Sequence, residues 1–140
     1  MALNTQFSIA VHMMAGLGVR ARSGDGAPSR TLAQSVNACP SFMRRVLSKL
    51  SKAGLIRTTM GKSGSCALAR DPRVISLLDI YRAVEAPKAF AIHDYPEQKG
   101  CAVSCGIKPS LQKVLDGAQK SMENSLKKTT LADVIAEVAR

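Results

Sequence analysis

Residues 39–69 read CPSFMRRVLSKLSKAGLIRTTMGKSGSCALA, and the punctuation inside that stretch decides how the rest of the chain is organised. Pro40 is tolerated in the first turn of a helix, where its missing N–H has no intrahelical acceptor to lose, and Gly54 ends that helix. Between them Met43, Val46, Leu47 and Leu50 share one face, while Arg44, Arg45, Ser48, Lys49 and Lys52 occupy much of the remainder with no acid among them. After Gly54, Leu55 and Ile56 open a strand. MGKSG (60–64) holds the glycines that a tight hairpin needs, and SCALA (65–69) returns. Upstream, Thr31 and Gln34 form a T-x-x-Q capping box on a short helix with Leu32, Ala33 and Val36 inward, and NACP (37–40) breaks the chain. Two short helices around a break, the second basic and followed by a basic hairpin, make a helix-turn-helix with a two-stranded wing.

Working outward, residues 4–19 carry Phe7, Ile9, Val11, Met13, Met14 and Leu17, a density that predicts a mostly buried helix, with His12 as a structural side chain within it. Residues 22–29 read as loop. Ser76 and Asp79 cap a helix over 76–84 that Pro87 ends, and 88–106 lacks a lasting period. A long helix over 107–127 follows, with a stripe of Ile107, Leu111, Val114, Leu115, Ala118, Met122 and Leu126 at spacings of three and four. Thr130 and Asp133 cap a last helix.

The fold class is therefore mainly α: a winged helix-turn-helix with a long C-terminal dimerisation helix. We divide it into a DNA-binding domain (1–86), a cysteine loop (87–106), and the dimerisation helix with the C-terminal helix (107–140). A winged helix closes its core in about 80 residues, so the long apolar stripe calls for a cover, and a second copy is the simplest one. Duplex recognition points the same way, because paired half-sites need two matched recognition helices.

Charge supports a nucleic-acid partner. Net charge is +10, with eleven Lys and Arg against two acids in residues 1–75, but nine against eight in 76–140. The absence of Trp, with three Phe and two Tyr, argues against a stacking platform for single strands. The longest apolar run is too short to span a membrane, and the start carries no basic residue before Phe7, so neither a membrane partner nor an export signal is expected and the location reads as cytoplasmic. No paired carboxylates, Ser-His-Asp set or phosphate loop indicates an enzyme.

Residues 36–85 resemble the bacterial regulator family that includes IscR, NsrR and CymR. The resemblance rests on Leu47, Leu50, Ala53-Gly54-Leu55, Gly61, Gly64, Leu68-Ala69-Arg70, Pro72, Ile75, Leu77, Asp79-Ile80, Ala83 and Glu85. It extends to FSIAVHMMAGL (7–17) and LKKTTLADV (126–134), almost the whole chain. It implies a homodimeric transcription regulator, usually a repressor, that meets double-stranded operator DNA with recognition helix and wing. Thr31, Ser41, Phe42, Arg44, Arg45, Lys49, Lys62 and Ser63 are the candidate DNA contacts, with an arginine reading a guanine edge and the lysines nearer phosphate. The wing departs from the family pattern, since Ser65 replaces a glycine and Cys66 stands near an aromatic position.

Cys101 and Cys105 lie four apart before the long helix, where cluster-binding members carry three cysteines. An iron–sulfur cluster would need two further ligands, so the favoured reading has no cofactor and a thiol switch at this hinge; a cluster, or cysteines as simple packing, remain the alternatives. Lys99 and Lys108 flank the pair. Cys39, before Pro40, is a third redox candidate at the start of the recognition helix, while Cys66 reads as hairpin packing. A non-DNA adaptor with a positive face is the other functional class; a salt-dependent, sequence-dependent shift of duplex DNA separates the two.

Overall fold

The computed structural model describes residues 5–21, 27–59 and 65–139, without side-chain detail at 27–30 and 33. The order is α1 (Gln6–Ala21), β1 (Ala27–Pro28), α2 (Ser29–Val36), α3 (Pro40–Lys52), β2 (Ile56–Thr58), β3 (Ser65–Leu68), a single 3₁₀ turn (Pro72–Val74), α4 (Leu77–Ala83), α5 (Ala102–Lys128) and α6 (Leu131–Val138).

α1 is the axis of the core. Its Ala10, Met13, Met14 and Leu17 are essentially without solvent contact, and Leu32, Met43, Leu50, Ile75, Ile80 and Leu131 close around them from five other segments. His12 is structural, its Nε2 hydrogen-bonded with the Ser35 hydroxyl at 3.0 Å between α1 and α2. The turn between α2 and α3 passes through Asn37 at φ 61°, a left-handed position that asparagine accepts more readily than most residues. α3 ends in a Schellman motif: Leu55 N–H donates to Leu50 O at 3.1 Å, and Gly54 N–H donates to Ser51 O at 3.0 Å. Gly54 sits at φ 75°, where a side chain would add strain. The motif reverses the chain directly into β2, so the angle between α3 and the wing is set locally.

β2 and β3 pair antiparallel, with Ile56 opposite Leu68 and Thr58 opposite Cys66, giving the expected two-stranded wing. The sheet gains a third strand. Ala27 and Pro28 pair with Cys66 and Ser65 on the free edge of β3, although composition alone reads 22–29 as loop. α2 also starts at Ser29, so Thr31 lies inside the helix and is not its cap. The capping boxes at Ser76/Asp79 and Thr130/Asp133 both form. α4 stops at Ala83 and the chain leaves through Glu85 at φ 53°, before Pro87 is reached.

Two differences concern the C-terminal half. α5 begins at Ala102, not at 107, because the Cys101 Sγ caps it by accepting the Ser104 N–H at 3.4 Å. Pro109 then lies inside the helix and leaves the Cys105 carbonyl without its usual donor. The grouping of 107–140 as one unit also separates what the fold joins. Leu131 and Ile135 of α6 are buried in the α1 core, and a bridge between Ser76 and Thr130 ties α6 to the start of α4.

Candidate nucleic-acid interface

α3 presents one apolar and one cationic face, as its spacing requires. Met43, Val46, Leu47 and Leu50 are buried, while Ser41, Arg44, Arg45, Ser48 and Lys52 are exposed. Phe42 is half-buried against the core, and the Arg45 guanidinium lies 5.5 Å from its ring centroid, a cation–π contact that steadies the arginine above the helix. Arg44, Ser48, Lys52, Thr58 and Thr59 line a groove of about 470 Å3 between α3 and the wing, with Cys66 also in its lining. With Ser51 beside them, the described lining carries two cations and four hydroxyls and no carboxylate, a set suited to phosphate and base-edge oxygens.

Lys49 does not join this set. Its ammonium donates to Gln6 Oε1 at 3.0 Å and to the Val84 carbonyl at 3.4 Å, with Glu85 at 3.9 Å, so it fastens α3 to α1 and α4. Sequence spacing alone places Lys49 and Lys52 both on the polar side; the three-residue offset turns one inward and leaves the other in solvent. Thr31 is half-buried beside His12 and Arg20 in a small polar recess at the α1–α2 junction. Lys62 and Ser63, expected at the wing tip, lie outside the described residues.

Cys39 occupies the N-cap of α3 with extended backbone, exposed, its Sγ 3.1 Å from the Ser41 hydroxyl. That hydroxyl, then the backbone N–H groups of Ser41 and Phe42, and lastly Arg45, hold its thiol pKa below the ordinary value, although the sulfur closes no regular cap hydrogen bond. Cys66 is the opposite case: it is 3% exposed and its burial pushes the thiol up.

The model of the Rrf2 family, described as iron-dependent transcriptional regulators, matches residues 3–137. The chain belongs to the Rrf2 family. YwnA of Bacillus subtilis, which carries the name of an HTH-type transcriptional regulator, is 34% identical over 134 residues, covering 95% of this chain and 96% of its own. The crystal structure of a Lactobacillus plantarum protein described as a transcriptional regulator superposes with a TM-score of 0.82 at 26% identity, covering 99% of this chain and 92% of that one. IscR of T. potens shares the fold, with a TM-score of 0.72 at 22% identity over 99% of this chain and 88% of its own. This Rrf2 protein is accordingly a DNA-binding transcription regulator and not an enzyme, and the family expected from residues 36–85 is the one found.

The iron in the Rrf2 description would need donors from this chain. Cys101 and Cys105 stand at the N-cap and in the first turns of α5, both exposed. Among the described residues no three His, Cys, Asp or Glu side chains converge as a metal-binding group. His93 packs on Tyr95 with ring centroids 5.7 Å apart. Two thiols supply half of the four protein ligands that a common cluster takes, so the described residues of one chain do not complete an iron–sulfur site, and the other two ligands would have to come from a second copy. Within the chain the two cysteines belong to a latch. Ser104 Oγ accepts the Gln98 N–H at 2.7 Å, the Cys105 thiol reaches the Gln98 carbonyl at 3.7 Å, and Lys108 donates to the Tyr95 carbonyl at 2.6 Å. Lys108 is therefore committed to a carbonyl.

α5 is 27 residues long and buries none of them fully. Ile107, Leu111, Leu115, Met122 and Leu126 of its stripe are half-exposed, Ala118 is exposed, and Val114 is 63% exposed. The helix is joined to α4 through Tyr81, whose hydroxyl accepts from Gln119 at 3.0 Å and donates to the Pro87 carbonyl at 2.6 Å. Among the described residues no helix is long and apolar enough to cross a membrane.

Proposed function

We propose that this Rrf2 protein is a cytoplasmic, homodimeric repressor that reads an operator through α3 and the wing and releases it when its exposed cysteines are oxidised. The carrying observation is the carboxylate-free groove between α3 and the wing, with Arg44 and Lys52 on its wall. Ser41, Arg44 and Arg45 project from the first turns of α3 and approach base edges. Lys52, with Lys62 and Ser63 of the wing, takes phosphate. The unburied stripe on α5 supports pairing with a second copy, which sets two recognition helices at half-site spacing.

The switch uses Cys101 and Cys105. Hydrogen peroxide oxidises one thiol to a sulfenic acid and releases water; the second thiol then displaces water and forms the disulfide. Side chains one helical turn apart have Cβ atoms about 5–6 Å apart, whereas a disulfide needs about 3.5–4.5 Å. Closure therefore deforms the start of α5. It also removes the Cys101 cap on Ser104 and the Cys105 bond to Gln98, while Pro109 already interrupts the ladder one turn later. Oxidation of Cys39 acts separately, at the N-cap of α3.

The test is fluorescence anisotropy on a duplex selected by the protein from a random pool, with and without peroxide. Salt-dependent binding to the selected sequence, reversible release by peroxide, and blunted release in Cys101→Ser or Cys105→Ser are expected. Binding without sequence preference refutes the regulator of a specific operator. Unchanged release in both serine variants refutes the hinge switch.

A further inference from the structure

A second polar site lies on the far side of α4. The 3₁₀ turn, α4 and the C-terminal half of α5 enclose a crevice of about 570 Å3 with buried Leu78 in its lining. α5 contributes Lys120, Asn124 and Lys127, which share one face at spacings of four and three; α4 contributes Arg82. The side chains of Lys120, Asn124 and Lys127 have no hydrogen-bond or ion-pair partner among the described residues. The two carboxylates in the lining are already engaged. Asp79 accepts the Ser76 N–H at 3.0 Å in the capping box, and Glu123 faces Arg82 at 3.8 Å. Arg73, at the rim, is neutralised by Asp71 at 2.7 Å. The crevice is thus a set of donors short of acceptors, with two ammonium groups two turns apart that form no ion pair among the described residues, and Val74 as an apolar lip.

We propose that this crevice binds a small dianion, a dicarboxylate or a phosphomonoester, whose oxygens supply the acceptors that Lys120, Asn124 and Lys127 lack, with Arg82 as the opposite jaw. A ligand held there touches both the winged-helix core and the long helix, so it is placed to register effector binding independently of the cysteine chemistry. The site is distinct from the α3 groove, which lies across the core between α3 and the wing.

Amide NMR of the full chain, titrated at constant ionic strength with inorganic phosphate in one arm and succinate in the other, tests the assignment. Saturable shifts centred on Ser76, Asn124 and Thr130 are expected in at least one arm, and the arm that saturates first selects the ligand class. Lys120→Gln with Lys127→Gln should weaken that binding by at least about tenfold, as loss of charge-assisted bonds does. Lys113→Gln, on α5 but outside the crevice, should leave it unchanged. Shifts that do not saturate, or that spread over every basic surface, overturn the proposal, as does equal weakening by Lys113→Gln. Loss of operator affinity in the double variant without any anion titration also overturns it, and assigns these lysines to the DNA backbone.

Discussion

Lys49 and Lys52 sit three residues apart on one basic helix, and the structure gives them opposite duties that a salt titration separates. Lys52 lines the groove with no partner among the described residues, whereas the Lys49 ammonium is held by Gln6 and Val84. Each phosphate contact contributes about 0.9 to the slope of log affinity against log salt on duplex DNA. Across a fourfold rise in salt, from about 50 to about 200 mM, removal of one contact lessens the affinity loss by about 3.5-fold. Lys52→Met should therefore flatten the slope by about 0.9 per subunit and leave thermal unfolding nearly unchanged. Lys49→Met keeps the aliphatic stem but removes charged hydrogen bonds, which costs about 1–2 kcal/mol of stability with the slope unaltered. Anisotropy at four salt concentrations and a calorimetric melt read both quantities. If Lys49→Met flattens the slope as much as Lys52→Met and melts like the parent, the orientation assigned to α3 on DNA is wrong.

Three further outcomes follow from the packing and the thiols. Leu131→Ala removes a side chain with no solvent exposure from the α1–α6 contact and should lower stability by about 2–5 kcal/mol, seen as a shift of the urea midpoint; a change near zero would mean α6 is not part of this core. Val114→Asp places a charge in the middle of the α5 stripe and should convert a dimer to a monomer in sedimentation equilibrium without loss of helix content; an unchanged mass at micromolar concentration refutes the pairing face. Alkylation of Cys39 should titrate below the usual thiol range, and Ser41→Ala should move its midpoint up, because the Ser41 hydroxyl is the main stabiliser of the thiolate. Cys66, raised by burial, should react only on unfolding.

How much of this was legible in the sequence depended on whether the signal was local. Pro40 and Gly54 bracket α3 within a residue or two because each acts on its own backbone, and the boxes at Ser76/Asp79 and Thr130/Asp133 are closed circuits of four residues. β1 escaped notice because two residues have no period; only the free edge of β3 makes them a strand. The start of α5 was hidden because residues 88–106 show no lasting period, while the cap that starts the helix is a sulfur, an uncommon N-cap acceptor. The inward turn of Lys49 depends on where Gln6 and Val84 arrive, which no window of residues around α3 contains. The crevice beside α4 is likewise assembled from 3₁₀ turn, α4 and α5, so its lysines read in sequence as an ordinary solvated face.

The bridge at Ser76 and Thr130 has a mechanical meaning. Leu77 N–H donates to Thr129 O at 2.9 Å and Leu131 N–H donates to Ile75 O at 2.8 Å, directly where α5 ends. A rod held by a single joint can swivel without moving its base, but a rod pinned at two adjacent points hands torque to whatever it is pinned to. The pins here are the roots of α4 and α6, and α6 is seated on α1, the axis of the core. A twist applied far along α5 is therefore handed to the core through α4 and α6, and under the proposed switch a small angular change at the cysteine end would reorient α3.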